Sequence, residues 1–319
     1  MAREAVLRVD VSRSVVVRRS PSLISKLRRD WVLLMLMLPG VAHLIVFVYL
    51  PNLGNVIAFQ NYLPFLGFSS QFVGFANFTQ LFASPAFWQA VRNTIVISAM
   101  QLVLYFPAPI ILALMLNSLV SPGARRIIQS VVYLPHFISW VIIVALFQQI
   151  FGGAGVVDHL FRAENLPAPD VTSSPPWFKW LVTFQVIWKE TGWGTIIYLA
   201  ALLAIDAELY EAAAVDGAGP WRRLWNITLP GIVGVTILLL ILRLGNILSA
   251  GFEQILLQRN AVGPDAGEIL DTYVYFQGIA AGQYAMAAAA GLIKAVVGLG
   301  LILGANRLAR TFGQPGLIG

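Results

Sequence analysis

Residues 211–230 read Glu211-Ala-Ala-Ala-Val-Asp-Gly217-Ala-Gly-Pro220-Trp-Arg-Arg-Leu-Trp-Asn-Ile-Thr-Leu-Pro230, a long polar interruption in the apolar second half of the chain. The pattern predicts two short helices with a break between them. Asp206 is suited to cap the first helix, and the alanines that follow are strong helix formers. The Gly-Ala-Gly turn should end that helix, and Pro220 fits the first position of the next because its missing N–H is not needed there. We expect Pro230 to stop the second helix, where an apolar run begins.

The composition is that of an integral membrane protein. Of the 319 residues, 58% are hydrophobic and only 11% are charged, and the mean hydropathy of +0.76 is too high for a soluble globular domain. Cysteine is absent, which excludes disulfides and thiolate metal sites. The net charge of +6 comes from basic residues that flank apolar runs, so membrane topology explains it better than nucleic-acid binding.

Repeated apolar runs near the membrane-spanning length predict one all-α polytopic domain with six transmembrane helices. A basic tail, residues 1–30, precedes the membrane domain, residues 31–310, and a short tail, 311–319, follows it. An organelle transit peptide is the alternative for the first tail. The segment 152–177 is expected to be an irregular loop, and 258–282 a loop with a turn at Gly263-Pro264-Asp265. Residues 205–229 form the polar loop between the fourth and fifth spans. The predicted spans are 31–50, 94–119, 127–151, 178–204, 231–257 and 283–305.

The lysines and arginines predict the orientation. Fourteen of the 21 lie on the side of the N-terminus, four lie on the opposite side, and three fall within spans. Because positive charge is retained in the cytoplasm, both termini and the 205–229 loop are predicted to be cytoplasmic.

Polar residues inside the predicted spans are the candidates for a solute path. Arg243, Asn246 and Gln254 share one stripe if the fifth span is a continuous helix. An arginine at that depth should face the bundle interior or a water-filled cavity. A structural ion pair of Arg243 with Glu253 or Glu190 is an equally supported alternative.

Three further sites carry the same ambiguity. Lys294 lies deep in the sixth span, where nearby glycines favour close helix packing. Trp188, Lys189 and Glu190 could line a carbohydrate path in the fourth span, although a girdle at the outer membrane interface is the favoured alternative. His136 is interpreted as a satisfied polar residue beside a proline, because no second metal-binding residue sits at helical spacing from it. No metal site is predicted.

The sequence contains no catalytic signature. A Gly-Lys dipeptide is absent, which excludes a Walker A phosphate loop, and no Gly-x-Ser-x-Gly elbow is present. If ATP powers this chain, the nucleotide and its Mg²⁺ must bind to a separate subunit, and no cofactor is expected in this one.

The pattern Glu211-Ala-Ala, Gly217, Ile227-x-Leu-Pro230 resembles the EAA loop of bacterial ABC importer permeases. An ordinary amphipathic connector is the alternative, and four matched elements at the family's spacing argue against it. Further segments are similar to a carbohydrate branch of these permeases, which includes the LplB-like and alginate-importer proteins and shares a maltose-permease-like core. They are Phe59–Tyr62, Phe72–Phe75, Gly245–Gln254, Asp271–Tyr275, Gly282–Tyr284 and Leu303–Asn306.

The resemblance implies a non-catalytic subunit of a binding-protein-dependent importer in the bacterial inner membrane. Its partners would be a second permease, two ATPase subunits, an extracytoplasmic solute-binding protein, a saccharide and membrane lipid, with no nucleic acid. The long basic tail favours a different second permease over a homodimer. A permease for a glycerol phosphate and a membrane-embedded sugar transferase are the alternatives. The residues matched to ATPase coupling are Glu211, Ala212, Ala213, Asp216 and Gly217.

Overall fold

The computed structural model describes residues 29–167, 170–311, 313 and 316. The predictions for residues 1–28 and for most of the 311–319 tail therefore lie outside the described residues. Among those described, regular structure is helical, apart from one isolated bridge between Gln60 and Phe72, and the all-α class is confirmed. The chain divides into two compact units at Gly54.

The first unit contains α1, Trp31–Leu44. The helix continues through a π-helical turn, Ile45–Tyr49, and a last α-helical turn, Leu50–Leu53. Its residues are almost all apolar, as predicted for a span beginning at residue 31.

The second unit, which begins at Asn55, holds the remaining helices. Short 3-10 or π-helical turns join several of them. They are α2 (Ala76–Ala83), α3 (Pro85–Met100), α4 (Ala108–Asn117), α5 (Pro122–Tyr133), α6 (Trp140–Phe151), α7 (Val156–Ala163), α8 (Pro175–Leu203), α9 (Ala207–Val215), α10 (Pro220–Arg223), α11 (Leu229–Gly245), α12 (Phe252–Val262), α13 (Pro264–Gly267), α14 (Leu270–Tyr275) and α15 (Tyr284–Thr311).

Helix α8 is at the centre of the second unit. It packs against α4 around Leu199 and against α12 around Val182. Against α5 the approach is closer still, because a Cβ added to Gly192 would lie 1.9 Å from the Val132 carbonyl oxygen. The glycine therefore permits backbone contact between these two helices.

Two of the predicted spans are interrupted, and these predictions were wrong. The third, 127–151, breaks at a 3-10 turn, Leu134–Phe137, because Pro135 cannot continue a regular helix. The fifth, 231–257, ends at Gly245, and α12 starts only after Gly251, whose φ of +89° is incompatible with a right-handed helix.

The expected stop at Pro230 was also wrong. Helix runs without a break from Pro220 to Gly245. A π-helical turn, Leu224–Thr228, ends two residues before the proline, and the Leu229 N–H bonds to the Leu224 carbonyl five residues back. This wider turn relieves the clash between the proline ring and the preceding carbonyls.

The two segments predicted to be loops, 152–177 and 258–282, contain helices. Within 152–177 lies α7, where an ion pair of 2.6 Å between Asp158 and Arg162 one turn apart supports the helix. Within 258–282 lie the end of α12, α13 and α14. Gly263, with φ +79°, forms the turn predicted there.

Five segments of the described chain are long and apolar enough to cross a membrane. The predicted fourth span corresponds to α8, which has 29 residues but is not among the five. Its lysines, glutamate and other polar residues lower its hydropathy. The six-span arrangement therefore stays a prediction. The five segments are Trp31–Phe59, Pro85–Asn117, Trp140–Ala163, Pro220–Gly245 and Tyr284–Thr311.

Candidate functional site

The loop predicted to couple to an ATPase is built by local hydrogen bonds. The Asp206 side chain accepts from the Glu208 N–H at 3.0 Å and caps α9. At the other end, Gly217 has φ +69°, and the Ala218 N–H donates to the Ala213 carbonyl at 2.8 Å. This is a Schellman motif, in which glycine supplies the left-handed residue that satisfies the last carbonyls of the helix.

Side-chain contacts hold this loop against α11 and its preceding turns. The Tyr210 hydroxyl lies 3.0 Å from the Thr228 hydroxyl. Arg223 donates from Nε to the Ala218 carbonyl at 2.7 Å, so the arginine links α10 to the break after α9. The loop is therefore a preformed element.

The matched coupling residues occupy the outer surface of this element. All are exposed except the half-buried Ala213. Large apolar side chains around them are exposed as well, Val215 to 90% and Trp221 to 74%. A cluster of this kind at a polar loop is typical of a protein–protein interface. The matched residues are Glu211, Ala212, Ala213, Asp216 and Gly217.

Arg243 lines a cavity of about 300 Å³ between α4, α8 and α11. Its Nη2 donates to Oε1 of Gln101 at 2.6 Å, and its guanidinium lies 5.5 Å from the centre of the Tyr105 ring. The predicted ion pair of Arg243 with Glu253 or Glu190 is absent from the described part of the chain. The guanidinium thus has a neutral partner, and its charge faces the cavity.

Asn246 and Trp193 line the same cavity. Asn246 follows the last turn of α11 and is exposed, donating to the Leu242 carbonyl at 3.1 Å. The Trp193 ring stacks on His136 with centroids 4.4 Å apart and planes 4° apart. Aromatic faces beside a charge and an amide are the usual constituents of a small-molecule site.

Glu190 and Lys189 hold the turn that carries His136. The Glu190 carboxylate lies 2.8 Å from Nδ1 of His136. Lys189 is 6% exposed and donates to the carbonyls of His136 and Ile138, each at 2.6 Å. Lys189 is therefore enclosed by the turn, whereas Trp188 packs against Phe147 of α6. His136 has the satisfied polar environment that was predicted for it.

The predicted stripe along the fifth span does not exist, because α11 and α12 are separate helices. Gln254 is fully buried and donates to the Val182 carbonyl at 2.8 Å and to Oε1 of Gln185 at 2.7 Å. Glu253, its neighbour, is exposed on α12. In this conformation the Gln254 amide is part of a buried contact between α12 and α8, away from Arg243.

Lys294 of α15 forms an ion pair with Asp271 of α14. Both side chains remain partly exposed, at 23% and 21%. Of the two glycines expected to favour close packing, Gly298 does so, because an added Cβ would lie 3.0 Å from the Gly245 carbonyl oxygen. Gly291 has open space around it.

Sequence reasoning missed Gln101 and Tyr105 as neighbours of Arg243. Both belong to a π-helical turn, Gln101–Tyr105, just before Pro107. A glutamine within an apolar run, shortly before a proline, is a signal that could have identified this turn.

Long apolar helices, a preformed polar loop and cavities that contain charged and amide side chains are typical of a multi-pass membrane permease. Residues 105–314 match the family described as "Binding-protein-dependent transport system inner membrane component", and the chain belongs to that family. It is a non-catalytic component of an ABC transporter and a multi-pass inner-membrane protein.

Two curated relatives match nearly the whole chain. Protein LplB of Bacillus subtilis (strain 168) is 45% identical over 298 residues, covering 93% of this chain and 94% of that protein. The polygalacturonan/rhamnogalacturonan transport system permease protein YteP of the same organism is 44% identical over 300 residues, covering 92% of each.

A solved structure matches equally fully. It is a crystal structure of a bacterial alginate ABC transporter in complex with an alginate pentasaccharide-bound periplasmic protein. One of its chains is 38% identical with a TM-score of 0.84, over 92% of this chain and 99% of that one.

Proposed function

We propose that this chain forms part of the translocation path of an importer for an oligo- or polysaccharide. The observation that carries the proposal is the Arg243 cavity, in which Trp193 and Tyr105 offer aromatic faces and Asn246 offers an amide. Sugar rings stack on aromatic faces and exchange hydrogen bonds with amides, so the lining suits a saccharide. The names of YteP and of the alginate transporter support the same substrate class.

The saccharide is acidic in this proposal. Arg243 is bound to the neutral Gln101, so its positive charge is available to a carboxylate in the cavity. Charge-assisted bonds from an arginine to a carboxylate are among the stronger hydrogen bonds in proteins. Of the remaining candidates, Lys189 and Glu190 hold the turn that carries His136, whose ring stacks on Trp193. Trp188, Glu253 and Gln254 do not line this cavity, and Lys294 borders a different one.

A glycerol phosphate remains the second candidate, since a phosphate would also suit Arg243. Proteins named sn-glycerol-3-phosphate transport system permease protein UgpA are 29–30% identical to this chain. The two aromatic walls favour a sugar ring over a small phosphate ester.

The exposed face of α9 is the docking surface for an ATPase in this proposal. Its apolar exposure and its rigid Schellman turn suit insertion into a cleft of a second protein. The complete importer would contain a different second permease, two ATPase subunits and an external solute-binding protein. Both termini and residues 205–229 face the cytoplasm, in accord with the distribution of basic residues.

Helix α8 is the sixth crossing in this arrangement. Its 29 residues span about 43 Å at 1.5 Å per residue, which exceeds the thickness of a bilayer core. The neighbouring helices shield its polar residues, so α8 needs less hydropathy than a span that faces lipid.

Uptake into proteoliposomes tests the substrate proposal. The complex is assembled with its own binding protein and supplied with labelled oligogalacturonides, a neutral oligosaccharide of equal length, or glycerol 3-phosphate. We expect Arg243→Gln to lower uptake of the acidic sugar by about tenfold or more, the value of one charge-assisted hydrogen bond. Arg243→Lys, which keeps the charge, is the matched control and should lose less. Unchanged acidic uptake in Arg243→Gln would refute the role of this cavity, and preferred uptake of glycerol 3-phosphate would favour the second candidate.

A further inference from the structure

The Asp271–Lys294 ion pair borders the larger of the cavities near α11 and α15, with a volume of about 740 Å³. Lys294 lies within α15, a candidate membrane span, yet neither partner is fully buried. An ion pair that remains open inside a membrane needs water or a polar ligand beside it, because lipid cannot solvate it. The cavity therefore presents one charged pair among otherwise largely apolar walls.

The other walls of this cavity have saccharide-binding chemistry. Tyr275, Tyr284 and Phe252 contribute aromatic rings, and the Phe252 and Tyr275 rings touch at 5.6 Å between centroids. Ser249 adds a hydroxyl. Asp271 can accept from sugar hydroxyls, and the Lys294 ammonium can donate to a hydroxyl or a carboxylate.

A third cavity of about 450 Å³ lies between this one and the Arg243 cavity and shares lining residues with each. Asn246 borders both the Arg243 cavity and the third cavity. Ser249 and Lys294 border both the third cavity and the large one. Asn246, Ser249 and Lys294 thus place polar groups at the borders of three adjoining cavities.

We propose that the Asp271–Lys294 cavity is a second saccharide subsite, in series with the Arg243 cavity. This inference rests on the proposed function and extends it. The path then holds more than one sugar unit at a time, with one cation facing each subsite. An acidic oligosaccharide long enough to reach both subsites gains interactions that a short one lacks, so this pair selects for chain length.

The test compares uptake of a labelled digalacturonide and a labelled tetragalacturonide by the complete complex. In Asp271→Asn with Lys294→Gln both charges are removed together, so that no unpaired charge remains. In Asp271→Lys with Lys294→Asp the ion pair is kept with its direction reversed. We expect both double variants to lower tetramer uptake by about tenfold more than dimer uptake, the factor that one charge-assisted hydrogen bond supplies. Wild-type uptake of both lengths by the reversed pair would assign the pair to structure and overturn the proposal.

Tyr284→Leu provides a variant that leaves the ion pair intact and removes one exposed aromatic wall. We expect Tyr284→Leu to lower uptake of the tetramer more than uptake of the dimer. If it takes up each oligomer at the wild-type rate, the result counts against the subsite. Arg243→Gln is measured alongside. If Arg243→Gln abolishes uptake while the other variants behave as wild type, the second subsite fails and the proposed function stands. If wild type takes up neither oligomer, the proposed function fails first.

Discussion

The coupling loop and the wall of the Arg243 cavity both lie at glycine breaks between helices, yet they are held in different ways. In the loop, the break at Gly217 is closed by a bond between Ala218 and Ala213, five residues apart. In the wall, Arg243 is held by Gln101, which lies 142 positions away in the chain. The loop is therefore held by local hydrogen bonds, whereas the wall depends on the packing of several helices.

This difference separates two kinds of mutational effect. A local element keeps its shape as long as its own caps are intact, so changes on its surface should affect partner binding more than stability. A wall assembled from α4, α8, α11 and the turn Gln101–Tyr105 loses shape when any contributing contact is removed. The predictions below test that separation, starting with the largest effect.

Lys189→Met should be the most destabilising of these changes. The ammonium is 6% exposed and is bound by the carbonyls of the turn after α5, so its loss leaves buried acceptors unpaired. We expect a loss of about 3–5 kcal/mol, seen as a lower thermal unfolding midpoint in detergent. Lys179→Met, on the same helix but only half-buried, is the control and should change the midpoint little. An unchanged midpoint for Lys189→Met would contradict the claim that long-range contacts near the Arg243 cavity control stability.

Gly217→Trp should separate function from stability in the loop. A tryptophan at φ +69° is strained, and its indole projects from the proposed docking surface. We expect coupled uptake and solute-stimulated ATP hydrolysis to fall by about tenfold or more, while the protein still inserts and assembles. Gly217→Ala carries the strain without the bulk, because no atom lies within 4 Å of an added Cβ, and should lose less. Normal coupling in the tryptophan variant would contradict the assignment of this loop.

Gln254→Ala should lower stability, whereas Asn246→Ala should lower uptake. Gln254 is buried against Gln185, so its removal should lower stability by about 1–3 kcal/mol. Asn246 is exposed in the cavity, so its removal should slow uptake about fivefold, equivalent to about 1 kcal/mol, with the unfolding midpoint unchanged. Uptake and thermal unfolding are measured on both variants. If only Asn246→Ala lost stability, the assignment of Gln254 to structure and of Asn246 to the solute path would be wrong.

Tyr210→Phe should have the smallest effect. The substitution removes one hydrogen bond, to Thr228, that holds α9 against the turn before α11. We expect the contact between α9 and this turn to weaken by about 0.5–1.5 kcal/mol, which should appear as a slight loss of coupling efficiency. Thr236→Val removes a hydroxyl that donates to the Ile232 carbonyl and does not contact the loop, and it serves as the control. If the two variants are equally coupled, Tyr210 has no role in holding the loop.

The sequence predicted the local features well and the long-range ones poorly. Asp206, Gly217 and Pro220 occupy the cap, turn and first helical position predicted for them, because each rule depends only on neighbouring residues. The interruption at Pro135 was within reach of the same rules, but the apolar run on both sides favoured a continuous span.

The partners of the polar residues could not be predicted in this way. The periodicity that placed Gln254 beside Arg243 assumed a straight helix, and the break after Gly245 removed that premise. Gln101 and Lys189 each bind groups more than fifty positions away, and no spacing rule relates such positions. Whether each residue touches solute depends on that packing.

The unbroken helix from Pro220 to Gly245 gives the molecule a mechanical property. Its 26 residues make a rod about 39 Å long, with the coupling loop at one end and Arg243 close to the other. A tilt of about 5° at the loop would displace the far end by roughly 3 Å, enough to exchange one hydrogen-bond partner for another. Because the π-helical turn before Pro230 lets the helix continue past the proline, a force applied at the proposed docking surface would reach the cavity through a single lever.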